Sequence, residues 1–187
     1  MRVIGGSLKG RKLFTPDGIN TRPTSDRLRE SLFNILTHQL EAGFKGLHIA
    51  DIFAGTGALG IEAISRGASV CTFVEKHAGP KSAIFKNINA LGLEKITKVQ
   101  RVGAESLPRR KSGFDLILMD PPYSRGLADI ALKSIIKGNW CNKNALVVVE
   151  SHISDKIRVP SEFYEKENRK YGKTKIQIFV FGLTPTK

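Results

Sequence analysis

Residues 47–60 read Leu47-His48-Ile49-Ala50-Asp51-Ile52-Phe53-Ala54-Gly55-Thr56-Gly57-Ala58-Leu59-Gly60. The apolar run Leu47–Ile52 predicts a buried strand, and Ala58–Arg66 predicts the helix that follows it. Between them Gly55, Gly57 and Gly60 take the spacing G-x-G-x-x-G. That spacing allows a tight turn, a close approach of backbone to ligand, and close packing of helix on strand. Glu75 ends the next predicted strand, Val70–Glu75, at about the distance from Gly55 where nucleotide-binding folds of this kind place an acid.

A carboxylate at that place grips ribose hydroxyls, so the loop fits NAD; it fits S-adenosylmethionine equally, because that cofactor also carries an adenosine ribose. Asp51 separates the two. A carboxylate just before the glycines suits a ligand bearing an ammonium and a sulfonium, and repels a pyrophosphate. The loop alone therefore leaves three readings: an S-adenosylmethionine site, an NAD site, and a glycine-rich turn with no ligand.

Outward from this loop, strand and helix patterns alternate. A helix is expected over about Pro80–Leu91, strands at Ile96–Val102 and Phe114–Met119, a helix at Leu127–Lys137, and a nearly all-apolar strand at Ala145–Glu150. Such alternation predicts a parallel sheet covered on both faces. The chain then changes character. Phe163–Tyr171 and Thr174–Phe181 flank Gly172-Lys173 and read as an antiparallel hairpin. At the other end, Arg2–Ile4 and Lys12–Phe14 flank a glycine-containing turn, predicting a hairpin that carries Lys9, Arg11 and Lys12. Pro23 and Thr24 open a helix to about Glu41, whose Leu28, Leu32, Ile35, Leu36 and Leu40 repeat at core-facing spacing. The expected division is a basic hairpin extension over residues 1–23 and an α/β domain over 24–187.

The composition excludes several classes. Of 187 residues 41% are hydrophobic and 25% charged, which rules out a disordered or collagen-like chain. Two distant cysteines, Cys71 and Cys141, and four scattered histidines (His38, His48, His77, His152) complete no metal spacing, so no metal is expected. No apolar run approaches the roughly 20 residues of a membrane helix. The start, Met1-Arg2-Val3, has no signal-peptide core. The expectation is a cytoplasmic protein with reduced thiols, and nothing demands more than a monomer. Thirty Lys+Arg against 17 Asp+Glu give +13, with an excess of basic residues at both ends and in the middle of the chain. A field of that sign favours a polyanionic partner, of which nucleic acid is the common case.

The second chemical signal is Asp120-Pro121-Pro122-Tyr123, directly after the predicted strand Phe114–Met119. Two prolines remove two N–H donors and stiffen the chain, leaving carbonyl acceptors beside a carboxylate and an aromatic plate. An exocyclic amine on a nucleobase is a poor nucleophile because its lone pair is delocalised into the ring. If Asp120 and the Pro121 carbonyl accept both its N–H bonds, the nitrogen pyramidalises and its lone pair becomes available; Tyr123 stacks on the base. An NAD dehydrogenase has no use for this loop, so the two signals together select an amine methyltransferase.

With these residues in view, the sequence resembles the RsmD-type bacterial methyltransferases. The match includes Met1-Arg2-Val3-Ile4-Gly5-Gly6-Ser7-Leu8-Lys9-Gly10-Arg11 and Thr21-Arg22-Pro23-Thr24-Ser25-Asp26-Arg27-Leu28-Arg29-Glu30-Ser31-Leu32-Phe33-Asn34, with the Asp51 and Asp120 loops. The resemblance implies a class I S-adenosylmethionine-dependent methyltransferase fold, a Rossmann-like seven-stranded sheet with an N-terminal hairpin. It implies methylation of the N2 amine of a guanine in the 16S rRNA of the small ribosomal subunit. It places the cofactor on Asp51, Phe53, Gly55, Gly57, Glu75 and the Ala104-Glu105 stretch, and the target base on Asp120, Pro121, Pro122 and Tyr123. RNA is expected on Lys9, Arg11, Lys12, Arg22 and Thr24. Ala50 stands where the family usually has leucine, and Gly103 where it often has Asp or Asn to meet the adenine amine. The Ala104 backbone or Glu105 is expected to stand in, with weaker cofactor selectivity. The alternatives are an adenine-N6 or cytosine-N4 methyltransferase of DNA or RNA, and an RNA-binding ribosome-assembly factor without catalysis.

Overall fold

The computed structural model describes residues 1–15, 26–123 and 126–182. The chain divides into two compact units, Met1–Arg101 and Val102–Lys187.

The first unit holds helix α1 (Asp26–Gln39), strand β1 (His48–Ile52), helix α2 (Ala58–Ser65), strand β2 (Val70–Val74), helix α3 (Ala78–Leu91) and strand β3 (Thr97–Gln100). Its strands lie in the order β3-β2-β1, both pairs parallel, with Asp51 opposite Phe73 and Ile52 opposite Val74. Parallel strands bury both faces, which is why β1 and β2 are apolar runs rather than alternating ones. Leu28, Leu32 and Leu36 of α1 are buried, as their spacing predicts, together with Phe33. Helix α3 starts at Ala78, two residues earlier than the sequence predicts, because Pro80 sits in the first turn, where no intrahelical N–H bond is lost.

The N-terminal hairpin forms around an antiparallel bridge between Arg2 and Lys12. It is held by three buried side chains. The Glu62 carboxylate on α2 accepts the N–H groups of Ile4 at 2.7 Å and Gly5 at 2.8 Å, and the Arg66 guanidinium at 2.8 Å. Ser65 Oγ accepts the Leu8 N–H at 2.9 Å and donates to the Gly5 carbonyl. The Arg29 guanidinium on α1, fully buried, donates to the Arg2 carbonyl at 2.6 Å and to Asp26 at 3.0 Å. Gly6 lies so close to α2 that a Cβ there would fall 1.9 Å from the Ser65 carbonyl oxygen. The predicted opening of α1 at Pro23-Thr24, and with it Arg22 and Thr24, lies outside the described residues.

The second unit holds strand β4 (Phe114–Met119), helix α4 (Leu127–Lys137), and strands β5 (Cys141–His152), β6 (Phe163–Tyr171) and β7 (Thr174–Phe181), ordered β4-β5-β7-β6. The β4–β5 pair is parallel, and β5–β7 and β6–β7 are antiparallel, the last joined through Gly172-Lys173 as the sequence predicts. Strand β5 begins four residues before the expected Ala145. Its extra start, Cys141-Asn142-Lys143-Asn144, is polar, and the pairing of Cys141 with Phe114 holds it across an irregularity in β4. Trp140 is fully buried against Phe114, ring centroids 5.2 Å apart, with its indole N–H donating to the Pro108 carbonyl.

Candidate active site

The glycine loop and the acid after β2 form one hydrogen-bonded cluster. Parallel pairing of β1 and β2 sets their carboxyl ends side by side, the end at which open α/β sheets bind ligands. From there the Gly55 N–H donates to Glu75 Oε2 at 3.0 Å, and the His77 N–H to Glu75 Oε1 at 2.8 Å. Each oxygen of this largely buried carboxylate thus accepts one bond and keeps a second lone pair, the number needed to receive the two hydroxyls of a ribose. The residues therefore fit the adenosine ribose that the loop pattern calls for.

Asp51 is 1% exposed, and its Oδ2 accepts the Gly60 N–H at 2.9 Å. The residue before helix α2 is Gly57, which has no side chain to cap it, so Asp51 reaches from the end of β1 and caps the first turn instead. Burial pushes the Asp51 carboxyl up to about 7, opposed by the Gly60 bond and reinforced by the charge of Glu75. A carboxyl held near neutrality and buried is poised to ionise fully against an incoming cation. Gly60 makes this geometry feasible, since a Cβ there would fall 2.5 Å from the Phe73 ring and 2.6 Å from Cys71 Sγ. Phe53, the first residue after β1, holds a left-handed φ of 64°, an outlier for a bulky side chain and a mark of a constrained site.

In the second unit the Asp120–Tyr123 loop follows β4. Pro121 is buried and Pro122 exposed. The Tyr123 hydroxyl lies 3.2 Å from Glu150 Oε1, to which it donates, and 3.2 Å from Thr174 Oγ1; its ring packs on His152 at 5.8 Å between centroids. Burial pushes the Tyr123 phenol up to about 12, with the Thr174 bond opposing and the charges of Glu150 and Asp120 adding to it. The ring is therefore a neutral plate pinned by its tip. Pro121, Pro122 and Tyr123 line a pocket of about 290 Å³ together with the start of α4, Ser151 and residues 154–157, small enough for a single heterocycle.

Ala104 is buried and opens a short 3-10 turn, Ala104–Ser106, after Gly103. The carboxylate of the exposed Glu105 folds back onto Gly103, so a Cβ built there would meet Glu105 Oε1 at 2.1 Å. Glu105 thus fills the space into which a side chain at residue 103 would grow. On the hairpin Lys9, Arg11 and Lys12 are exposed, and Arg11 donates to the Ala90 carbonyl at the end of α3. Sequence reasoning missed Glu150, Thr174 and His152, which come from strands distant in sequence. The one available signal was Glu150, an acid ending an otherwise apolar strand. Both cysteines are buried, and burial pushes the Cys141 thiol up to about 12, so neither is a nucleophile. Among the described residues no cluster of three metal-ligating side chains occurs, and no helix is long and apolar enough to cross a membrane.

Comparison with known proteins identifies the family of the chain. The family model described as conserved hypothetical protein 95 matches residues 1–180. The chain is 31% identical to Ribosomal RNA small subunit methyltransferase D of Escherichia coli K12, over 96% of this chain and 89% of that protein. It is 34% identical to the protein of the same name from Haemophilus influenzae, over 87% of this chain and 84% of that one. The solved structure of yhhF from Escherichia coli superposes with a TM-score of 0.85 at 32% identity, covering 97% of this chain and 98% of that one. The α/β fold is that of class I methyltransferases, and the family implies S-adenosylmethionine as cofactor. The sequence, the fold and the two loops agree that this chain belongs to the family of Ribosomal RNA small subunit methyltransferase D.

Proposed function

We propose that the protein methylates the exocyclic N2 amine of a guanine in small-subunit (16S) ribosomal RNA, acting as a monomer in the cytoplasm. The observation that carries this reading is the Asp120–Tyr123 loop, with its aromatic plate fixed by Glu150 and Thr174. Relatives that cover nearly the whole chain and bear an rRNA methyltransferase name support the RNA class of substrate.

When bound, S-adenosylmethionine supplies an electrophilic methyl group on sulfur. Glu75 would receive the ribose hydroxyls on its two spare lone pairs, and Asp51 would ionise to balance the cationic end. The Gly55–Gly57 backbone and Phe53 would shape the loop against the cofactor, and Ala104 and Glu105 would meet the adenine amine in place of a side chain at Gly103. Asp120 and the Pro121 carbonyl would accept the two N–H bonds of the target amine, Pro122 holding the loop stiff. That drains the lone pair from the ring and aims it, so that much of the rate comes from positioning. Asp120 need not be a strong base at the outset. The amine becomes acidic only as its new bond forms, and the carboxylate then takes the proton. Tyr123 would stack on the base, worth about 1–3 kcal/mol where such stacking has been measured. Lys9, Arg11 and Lys12, with Arg22 and Thr24, would hold RNA phosphates.

The test is transfer of a tritiated methyl group to small ribosomal subunits from cells lacking the enzyme, set against duplex DNA as acceptor. The reading expects label in subunit RNA that disappears in the Asp120→Ala protein. Label in DNA alone, or no label in either, contradicts it.

A further inference from the structure

One residue lining the pocket beside the Asp120–Tyr123 loop, Ser151, carries a hydroxyl the fold leaves without a partner. Ser151 is 3% exposed, and its Oγ is buried and makes no hydrogen bond. A buried hydroxyl left unpartnered is destabilising, and native structures retain few of them. Other buried side chains with such an atom, Gln177 and Arg29 among them, do not line this pocket; Ser151 does, alongside Pro121, Pro122 and Tyr123. The strand register explains how it comes there. Met119 pairs with Val149 in the parallel β4–β5 ladder, so continuing both strands by two residues sets Ser151 beside Pro121. The neighbouring hydroxyl, Ser154, is already engaged with His152 Nδ1 at 2.7 Å.

The rest of the lining is rich in acceptors. Asp129 and Asp155 contribute carboxylates, which already accept the Arg158 and His152 N–H groups, and the two prolines contribute carbonyls but no N–H donor. Of the side-chain donors in the lining, the Tyr123 and Ser154 hydroxyls are engaged with Glu150, Thr174 and His152, which leaves the Ser151 hydroxyl and the exposed Lys156 ammonium. Two carboxylates in so small a space disfavour a phosphate and favour a heterocycle presenting N–H groups. Along its Watson–Crick edge guanine presents the N2 amine and N1–H as donors and a single acceptor, O6.

We propose that this pocket receives the target guanine and that the Ser151 hydroxyl donates to its O6, making Ser151 a specificity-determining contact. The inference rests on the reading of Asp120–Tyr123 as the loop that holds the reacting amine. Adenine and cytosine carry an amine where guanine has O6, so neither offers the hydroxyl a carbonyl acceptor at that place.

The test replaces the methylated guanine of reconstituted small subunits with 2-aminopurine, which keeps the reacting amine and lacks O6 and the N1 proton. With the wild-type protein the replacement is expected to lower kcat/KM by about tenfold or more, as for sites that lose a hydrogen bond to an uncharged substrate group. With Ser151→Ala, activity on guanine should fall by about tenfold while activity on 2-aminopurine stays unchanged, so that the preference between the two bases narrows by that factor. Ser151→Thr, which keeps a hydroxyl, should restore the preference. S-adenosylhomocysteine affinity and melting temperature measured on the same proteins exclude a loss of fold. If Ser151→Ala does not fold, the near-isosteric Ser151→Cys carries the same expectation. An unchanged guanine preference in Ser151→Ala, or an equal fall on both bases, overturns the proposal. A wild-type protein that leaves guanine N2 unmethylated overturns the underlying reading as well, an outcome seen before any Ser151 variant is made.

Discussion

Asp51 ties cofactor binding to pH in a way that can be worked out in advance. Its carboxyl is buried beneath the glycine loop and titrates near 7 in the folded protein, burial being the main cause. If the cationic end of the cofactor requires the ionised form, the apparent dissociation constant scales inversely with the ionised fraction. That fraction is about nine-tenths at pH 8 and about one-tenth at pH 6, so affinity should weaken about tenfold across this interval. The Asp51→Asn protein should bind more weakly at pH 8 and lose this part of the slope. Titration calorimetry with S-adenosylhomocysteine, which keeps the ammonium group, measures both, and the variant subtracts any titration of the ligand itself. The same shift acts on the fold with a definite sign. A carboxyl whose folded pKa lies above its unfolded value of about 4 stabilises the protein fully below pH 4, and that contribution is lost as pH rises through 7. The loss has a ceiling on the order of 4 kcal/mol, reduced by whatever water enters the loop. The ligand-free Asp51→Asn protein should accordingly melt higher than wild type at pH 8 while binding cofactor less well. Equal pH slopes in the two proteins, or a variant that melts lower at pH 8, would refute the role assigned to Asp51.

Further outcomes follow from the remaining contacts. Asp120→Ala should lower methyl transfer by about a thousandfold or more while leaving S-adenosylhomocysteine affinity within about twofold, because the side chain acts on the amine and its orientation. Glu105→Ala should weaken cofactor binding about five- to tenfold if its carboxylate meets the adenine amine, the value of one hydrogen bond; unchanged affinity by calorimetry removes Glu105 from the site. Glu62→Gln takes the charge from an acceptor that holds Ile4, Gly5 and Arg66. The cost should be about 3 kcal/mol, read as a fall in Tm of roughly 6–12 °C. Replacing Lys9, Arg11 and Lys12 together by alanine should weaken RNA binding and flatten the slope of log affinity against log salt by about 2, as expected for three single-strand phosphate contacts. An unchanged slope would return these side chains to ordinary solvated surface.

The parts legible in the sequence are those where one local pattern carries the structure. Phe114–Met119 and Leu127–Lys137 fall where their apolar patterns place them, and the two C-terminal strands fall where the Gly172-Lys173 turn between them does. The bond from Gly55 to Glu75 is foreshadowed by their separation, since one strand–helix–strand unit fixes that distance. What escaped was set by partners far along the chain. The polar start of β5 carries no strand signal of its own; backbone pairing with Phe114 creates it. Glu62 and Ser65 belong to a short helix that is buried on nearly all sides, so a charge there must be paired, yet no local pattern names the hairpin backbone as its partner. The strain at Phe53 is likewise silent in sequence, because only glycines advertise a left-handed φ. Tyr123 was legible as an aromatic plate, but the acid and hydroxyl that pin it are contributed by β5 and β7, which only the sheet order brings to it.

The central claim is that the Asp120–Tyr123 loop presents a guanine amine of ribosomal RNA for methylation. It is tested most directly by nucleoside analysis of small-subunit RNA after reaction with labelled S-adenosylmethionine. Label recovered as N2-methylguanosine is the predicted result. Label recovered on adenine or cytosine would contradict the substrate while sparing the fold, and an unlabelled RNA would contradict the claim outright.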